Sequence, residues 1–95
     1  MTRHFIRLFF DVHCEWEGKA PNYRVYVNDE LFTERTYALT PDMYFEEMLQ
    51  IEAPPGEYVI SCELVPPVFA RLKVENMRVD FGPGVAQDTT LRITG

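Results

Sequence analysis

The chain has 95 residues, enough for one domain and one modest core, since a chain this size buries roughly 60–65% of its unfolded surface. It is 46% hydrophobic and 25% charged, and fifteen acidic against nine basic residues give a formal net charge of −6. That balance argues against the Lys/Arg-driven chemistry of phosphate-backbone binding and of docking on anionic membranes, so neither nucleic acid nor membrane is an expected partner. It suits a soluble domain, a cationic partner, or carboxylate-rich loops.

The first segment, His4 to Trp16, alternates over its whole length. Ile6, Leu8, Phe10, Val12, Cys14 and Trp16 fall on one side; Arg7, Asp11, His13 and Glu15 fall on the other, joined by Phe5 and Phe9. Period two over this span predicts a long half-buried strand, broken by Gly18 and Pro21. Tyr23 to Leu39 predicts a hairpin. Tyr23, Val25 and Val27 share a face, Asn28-Asp29-Glu30 turns the chain, and Leu31, Thr33, Arg35 and Tyr37 share a face on the return.

Met43 to Ile51 reads as strand, with Met43, Phe45, Leu49 and Ile51 in phase and Glu47 as the exception. Thr40-Pro41-Asp42 in front of it also suits a helix start, so helix is the alternative. Next comes a fenced strand: Pro54-Pro55-Gly56 turns into it and Pro66-Pro67 ends its ladder, because proline has no amide to donate. Inside the fence Tyr58, Ile60, Cys62 and Leu64 share one face. From Ala70 to Phe81, Leu72 and Val74 keep one phase and Met77, Val79 and Phe81 the other, which places a bulge or tight turn at Glu75-Asn76. Gly82-Pro83-Gly84 closes the segment, and Leu91 and Ile93 mark a last short strand. Six to eight short strands without a convincing helix predict an all-β fold, a single antiparallel β-sandwich or small barrel over residues 1–95.

Little in the chain suits catalysis. Ser61 is the one serine, His4 and His13 are the two histidines, and Cys14 beside His13 points to the opposite face of its strand. Asp11, His13 and Glu15 share a face at two-residue spacing, a set that imidazole–carboxylate chemistry would let hold zinc or manganese. The simpler reading is the solvent face of an amphipathic strand. Cys14 and Cys62 both lie on apolar faces and read as reduced, buried thiols. Acidic turn residues, Asp29 and Glu30 among them, would offer oxygens to calcium, but no Asp-x-Asp-x-Asp ladder is present. Phe9 and Tyr26 stand on otherwise polar strand faces, as does Tyr44 if its segment is a strand. Aromatic platforms of this kind stack on sugar rings or on a protein. No glycine-rich phosphate loop precedes a helix.

Val25, Val27 and Asn28, then Pro55, Gly56, Tyr58 and Ile60, then Leu72, Val74, Met77 and Val79 form a familiar series. In these residues the chain resembles the jelly-roll β-sandwich modules of the galactose-binding-like and calcium-dependent xylan-binding type. The resemblance spans Tyr23 to Phe81 and implies a jelly-roll-like sandwich, with sugar binding and calcium as the family's properties. Asp29 stands where those modules carry glycine, and Pro66-Pro67-Val68-Phe69-Ala70-Arg71 stands where they carry their calcium-holding acids. The chain is also similar in overall look to small tailed-phage proteins of unassigned role, which implies a virion or assembly function.

The expected function is a non-catalytic binding module that recognises a glycan or a protein surface through Phe9, Tyr26, Tyr44, Asp29 and Glu30, with no cofactor. A self-associating virion or assembly protein is the alternative, and a homo-oligomer is the expected state under either. A small metal-dependent enzyme using Asp11, His13 and Glu15 ranks last. Met1 leads straight into a strand-like run without a basic, then apolar leader, and no apolar run approaches the roughly 20 residues of a spanning helix. Synthesis in the cytoplasm is therefore expected, with the virion as a further location.

Overall fold

The computed structural model describes residues 2–40, 42–66 and 70–95. Pro41 of the alternative helix start, and Pro67, Val68 and Phe69 of the second proline fence, lie outside the described residues. Eight strands form among the rest: β1 His4–Trp16, β2 Asn22–Val27, β3 Glu30–Thr36, β4 Phe45–Ala53, β5 Gly56–Leu64, β6 Ala70–Phe81, β7 Gly84–Gln87 and β8 Thr90–Ile93. They make two antiparallel sheets, one ordered β4-β1-β6 and the other β3-β2-β5-β8-β7. The expected all-β antiparallel sandwich is what the chain forms. The segment left open between strand and helix is strand β4, with Met43 outside it and exposed.

Alternation drives the stacking. The six β1 residues assigned to the apolar side all point inward: Ile6, Leu8, Phe10, Val12 and Cys14 are buried and Trp16 packs against them. They meet Tyr23 and Val25 of β2, Ile60 of β5, Leu91 and Ile93 of β8, and Leu49 and Ile51 of β4. The Trp16 indole N–H donates to the Leu39 carbonyl at 2.8 Å, anchoring the chain that leaves the hairpin. Cys14 and Cys62 are both free thiols.

Three register shifts change which side chains face out. In β6 the pairing jumps from Phe9↔Arg78 to Asp11↔Glu75, with Asn76 at φ 57°. This is the bulge expected at Glu75-Asn76, and it turns both phases inward, so Leu72, Val74, Met77 and Val79 all pack on the core. A second shift, between Arg7↔Phe81 and Leu8↔Val79, leaves Phe81 outside and 57% exposed, contrary to its expected phase with Met77 and Val79. A third, between Val25↔Thr33 and Tyr26↔Leu31, leaves Phe32 unpaired. Leu31 is therefore exposed opposite Tyr26 and does not share a face with Thr33 and Arg35. Sequence alternation also missed β7, a four-residue edge strand within Gly-Pro-Gly-Val-Ala-Gln. β1, at 13 residues, is the long strand expected, and β6 runs as one 12-residue strand through its bulge.

Glycine fixes the β6–β7 corner. A Cβ at Gly82 would stand 2.2 Å from the Phe5 carbonyl oxygen, and its φ of +100° lies where L side chains rarely go. The hairpin turn Asn28-Asp29 has φ values of 49° and 68°, the sign pair of a type I′ turn. Asn28 ties that tip to β5: its amide N–H donates to the Val59 carbonyl at 2.9 Å, and its Oδ1 accepts from the Val59 N–H at 2.7 Å.

Candidate functional site: the outer face of the three-stranded sheet

Because β1 is central and half-buried, its odd-numbered residues project to solvent between those of β4 and β6. Phe5, Arg7, Phe9, Asp11, His13 and Glu15 form the middle row. β4 adds Glu46 and Met48, and β6 adds Lys73, Glu75, Arg78 and Phe81 by register.

Arg78 organises the centre of this face. Its guanidinium lies 5.6 Å from the Phe9 ring centroid, donates to Asp11 Oδ1 at 3.3 Å, and is paired with Glu46. The Asn76 side chain donates to Asp11 Oδ2 at 3.1 Å, so the bulge residue and the cation together hold a carboxylate that is 8% exposed. At one end Phe5 and Phe81 pack with ring centroids 5.9 Å apart, and Arg7 lies 5.8 Å from the Phe81 centroid while pairing with Asp80 at 3.2 Å. At the other end His13 stacks on Tyr44, with centroids 5.4 Å apart and planes 29° apart, and its Nε2 sits 2.8 Å from Glu75. Lys73 joins Glu75 at 3.2 Å. The result is a belt of aromatic rings interleaved with ion pairs, with Phe81, Tyr44, Met48 and Phe5 open to solvent.

The residues expected to bind divide between the two outer faces. Phe9 and Tyr44 lie on this face. Tyr26, Asp29 and Glu30 lie on the five-stranded sheet and its hairpin tip, beside exposed Leu31 and Val59. Asp11, His13 and Glu15 share a row but do not converge. Asp11 is held by Arg78 and Asn76, His13 by Glu75, and Glu15 sits opposite Arg71 in the register. Among the described residues no three His, Cys, Asp or Glu side chains come together as a metal cluster. Arg7 was legible on the outer phase of β1, but Arg78 and Phe81 were not legible as its outward-facing neighbours, because the two register shifts in the β1–β6 pairing decide where they point. Met48 was legible only as an apolar residue out of phase.

A second cluster sits inside the sandwich, where Glu47 breaks the alternation of β4. Its carboxylate is wholly buried and accepts from the Tyr23 hydroxyl at 3.0 Å and from Arg35 Nε at 2.8 and 2.6 Å. Burial, reinforced by the Glu47 charge and its hydrogen bond, raises the Tyr23 phenol well above its usual range. Burial, with Glu47 again adding, pushes the Cys62 thiol up to about 12. Glu47 is an inward-pointing charge on an edge strand, a device that discourages edge-to-edge pairing. It also joins the edge of one sheet to β2 and β3 of the other.

Comparison with known proteins returned no match: no family model, no curated protein and no solved structure.

Proposed function

We propose that the protein is a non-catalytic recognition module that binds a protein surface through the outer face of the three-stranded sheet. The observation that carries this reading is the belt of exposed Phe5, Phe81, Tyr44 and Met48 with Arg7 and Arg78 set over rings. Aromatic residues, methionine and arginine are the types enriched where proteins meet, and arginine stacked on a ring is pre-ordered for such contact. A sugar ring asks for an open aromatic plane, whereas Phe9 is capped by Arg78 and Tyr44 is stacked on His13. The test is a Phe81→Ser/Arg78→Ala double variant, checked for an unchanged fold by dichroism. Affinity capture from the native source should return a partner with the wild-type chain and lose it with the variant. Equal capture by both, or glycan-array binding indifferent to these substitutions with and without calcium, would sink the reading.

Self-association is the second reading, and one observation favours it. The opposite outer face also exposes Leu31, Val59 and Val85, so apolar side chains stand on both flat sides of the molecule. A subunit of an assembly, a virion among them, buries such faces against copies of itself. Sedimentation velocity at rising concentration distinguishes the two readings: a strict monomer removes the second and leaves the first.

A further inference from the structure

Beside the Glu47 cluster, at the open side of the sandwich where β3 and β4 form the edges, lies a recess of about 260 Å³. Tyr23, Arg35, Tyr37, Leu39 and Phe45 are among its lining residues. Arg35 is used there in an unusual way. Its Nε alone donates to both oxygens of Glu47, and neither Nη makes a hydrogen bond among the described residues. A guanidinium that served only to neutralise a buried carboxylate would gain by turning its fork onto it, two parallel bonds in place of one shared donor. Here the inner edge is held by Glu47, the plane lies against Phe45 at 5.5 Å from the ring centroid, and the side chain is still 42% exposed. Burying an ion pair is seldom the most stable choice for a core position. What this pair provides is a guanidinium fixed along one edge and against one ring, with its two-Nη edge free.

We propose that this recess is a binding site for a small carboxylate. The ligand's two oxygens accept from the paired Nη groups of Arg35, and its carbon skeleton lies against Phe45 and Leu39. Glu47 and Tyr23 act as positioning residues, holding Arg35 from below without touching the ligand. Glu34, which also lines the recess, does not compete for the fork, since its carboxylate accepts from Arg24 at 2.7 Å. The volume accommodates one six-membered ring, so a uronic acid is the substituted form that fits and acetate the minimal one. The site is separate from the outer face assigned to partner binding, and either can fail without the other.

The experiment is a nuclear magnetic resonance titration of the full chain, labelled with ¹⁵N, using sodium acetate and sodium D-glucuronate, with sodium chloride at matched ionic strength and glucose as controls. Saturable shifts of the Arg35 Nε–H signal and of the Tyr37 and Phe45 amides are expected with both carboxylates and not with either control. Glucuronate should bind at least about threefold tighter than acetate, through its ring contacts. Arg35→Lys keeps the charge opposite Glu47 but loses the fork, and it should weaken glucuronate binding about tenfold while its amide spectrum stays dispersed. Absence of saturable shifts in the wild-type chain overturns the proposal whether or not the variant folds. So do shifts reproduced by glucose or chloride, and so does unchanged affinity in a folded Arg35→Lys.

Discussion

At the scale of single residues, Gly82 and Cys62 are the positions whose chemistry is most constrained. Gly82→Ala would drive a methyl group into the Phe5 carbonyl while forcing an unfavourable φ. The expected loss is about 3 kcal/mol, read as a lower denaturation midpoint at unchanged m-value. Cys62 makes a prediction about pH. Its folded-state pKa is raised, so the folded chain holds its proton where the unfolded chain has released it, and stability must fall as pH rises. That contribution is fully present below the ordinary thiol value of 9.0 and is lost progressively as pH climbs through about 12. Thermal scans between about pH 8 and pH 11 should show a downward slope that is shallower in Cys62→Ala. An identical slope in the variant assigns the alkaline loss elsewhere, Tyr23 being the next candidate. Glu47 shows how such positions are read from sequence. It was visible as a lone carboxylate in an apolar phase, but its partners Tyr23 and Arg35 stand on another sheet, and nothing in local alternation pairs them.

At the scale of elements, the β2–β3 hairpin and the β6 bulges carry the consequences. The second turn position of the hairpin holds Asp29 at φ 68°, where glycine is at ease. Asp29→Gly should raise stability by about 0.5–1 kcal/mol. Asn28→Ala should lower it by about 1–2 kcal/mol, because the side-chain bond to Val59 goes as well. Equal effects of the two, measured by chemical denaturation, would mean the tip is not ordered as a type I′ turn. The hairpin, the strand β1 and the fenced strand β5 were legible because alternation is local and turn residues announce themselves. Exposed Phe81 and Leu31 were not. A single inserted residue flips every later side chain to the other face, and the length of a strand's partner is not written in its own segment. The belt on the outer face was thus half readable: Phe5 and Phe9 by phase, Arg7 and Arg78 as a cation clamp only once β6 is laid beside β1.

At the scale of the whole molecule the fold rests on one shared interior, and Val25, wholly buried in β2 between two sheets' worth of apolar side chains, probes it directly. Val25→Asp would leave an unpaired charge there, at about 4 kcal/mol or more against a total stability of about 5–15 kcal/mol. The variant should lose its cooperative thermal transition; a soluble protein with an unchanged transition would remove β2 from the core. Fold class was readable at this scale because six to eight alternating segments without a convincing helix leave few other ways to hide one side of each. Strand order was not, since it depends on contacts distant in the chain. That distance has a kinetic consequence for β1. Both its neighbours are synthesised long after it, Leu49 for Leu8 on one flank and Val74 for Val12 on the other. On the ribosome this greasy strand, rich in phenylalanine, must wait with both rims bare while hairpins farther along close by themselves. Folding is therefore expected on the slow side for so short a chain, and the growing polypeptide is a natural client for chaperones that hold extended apolar segments.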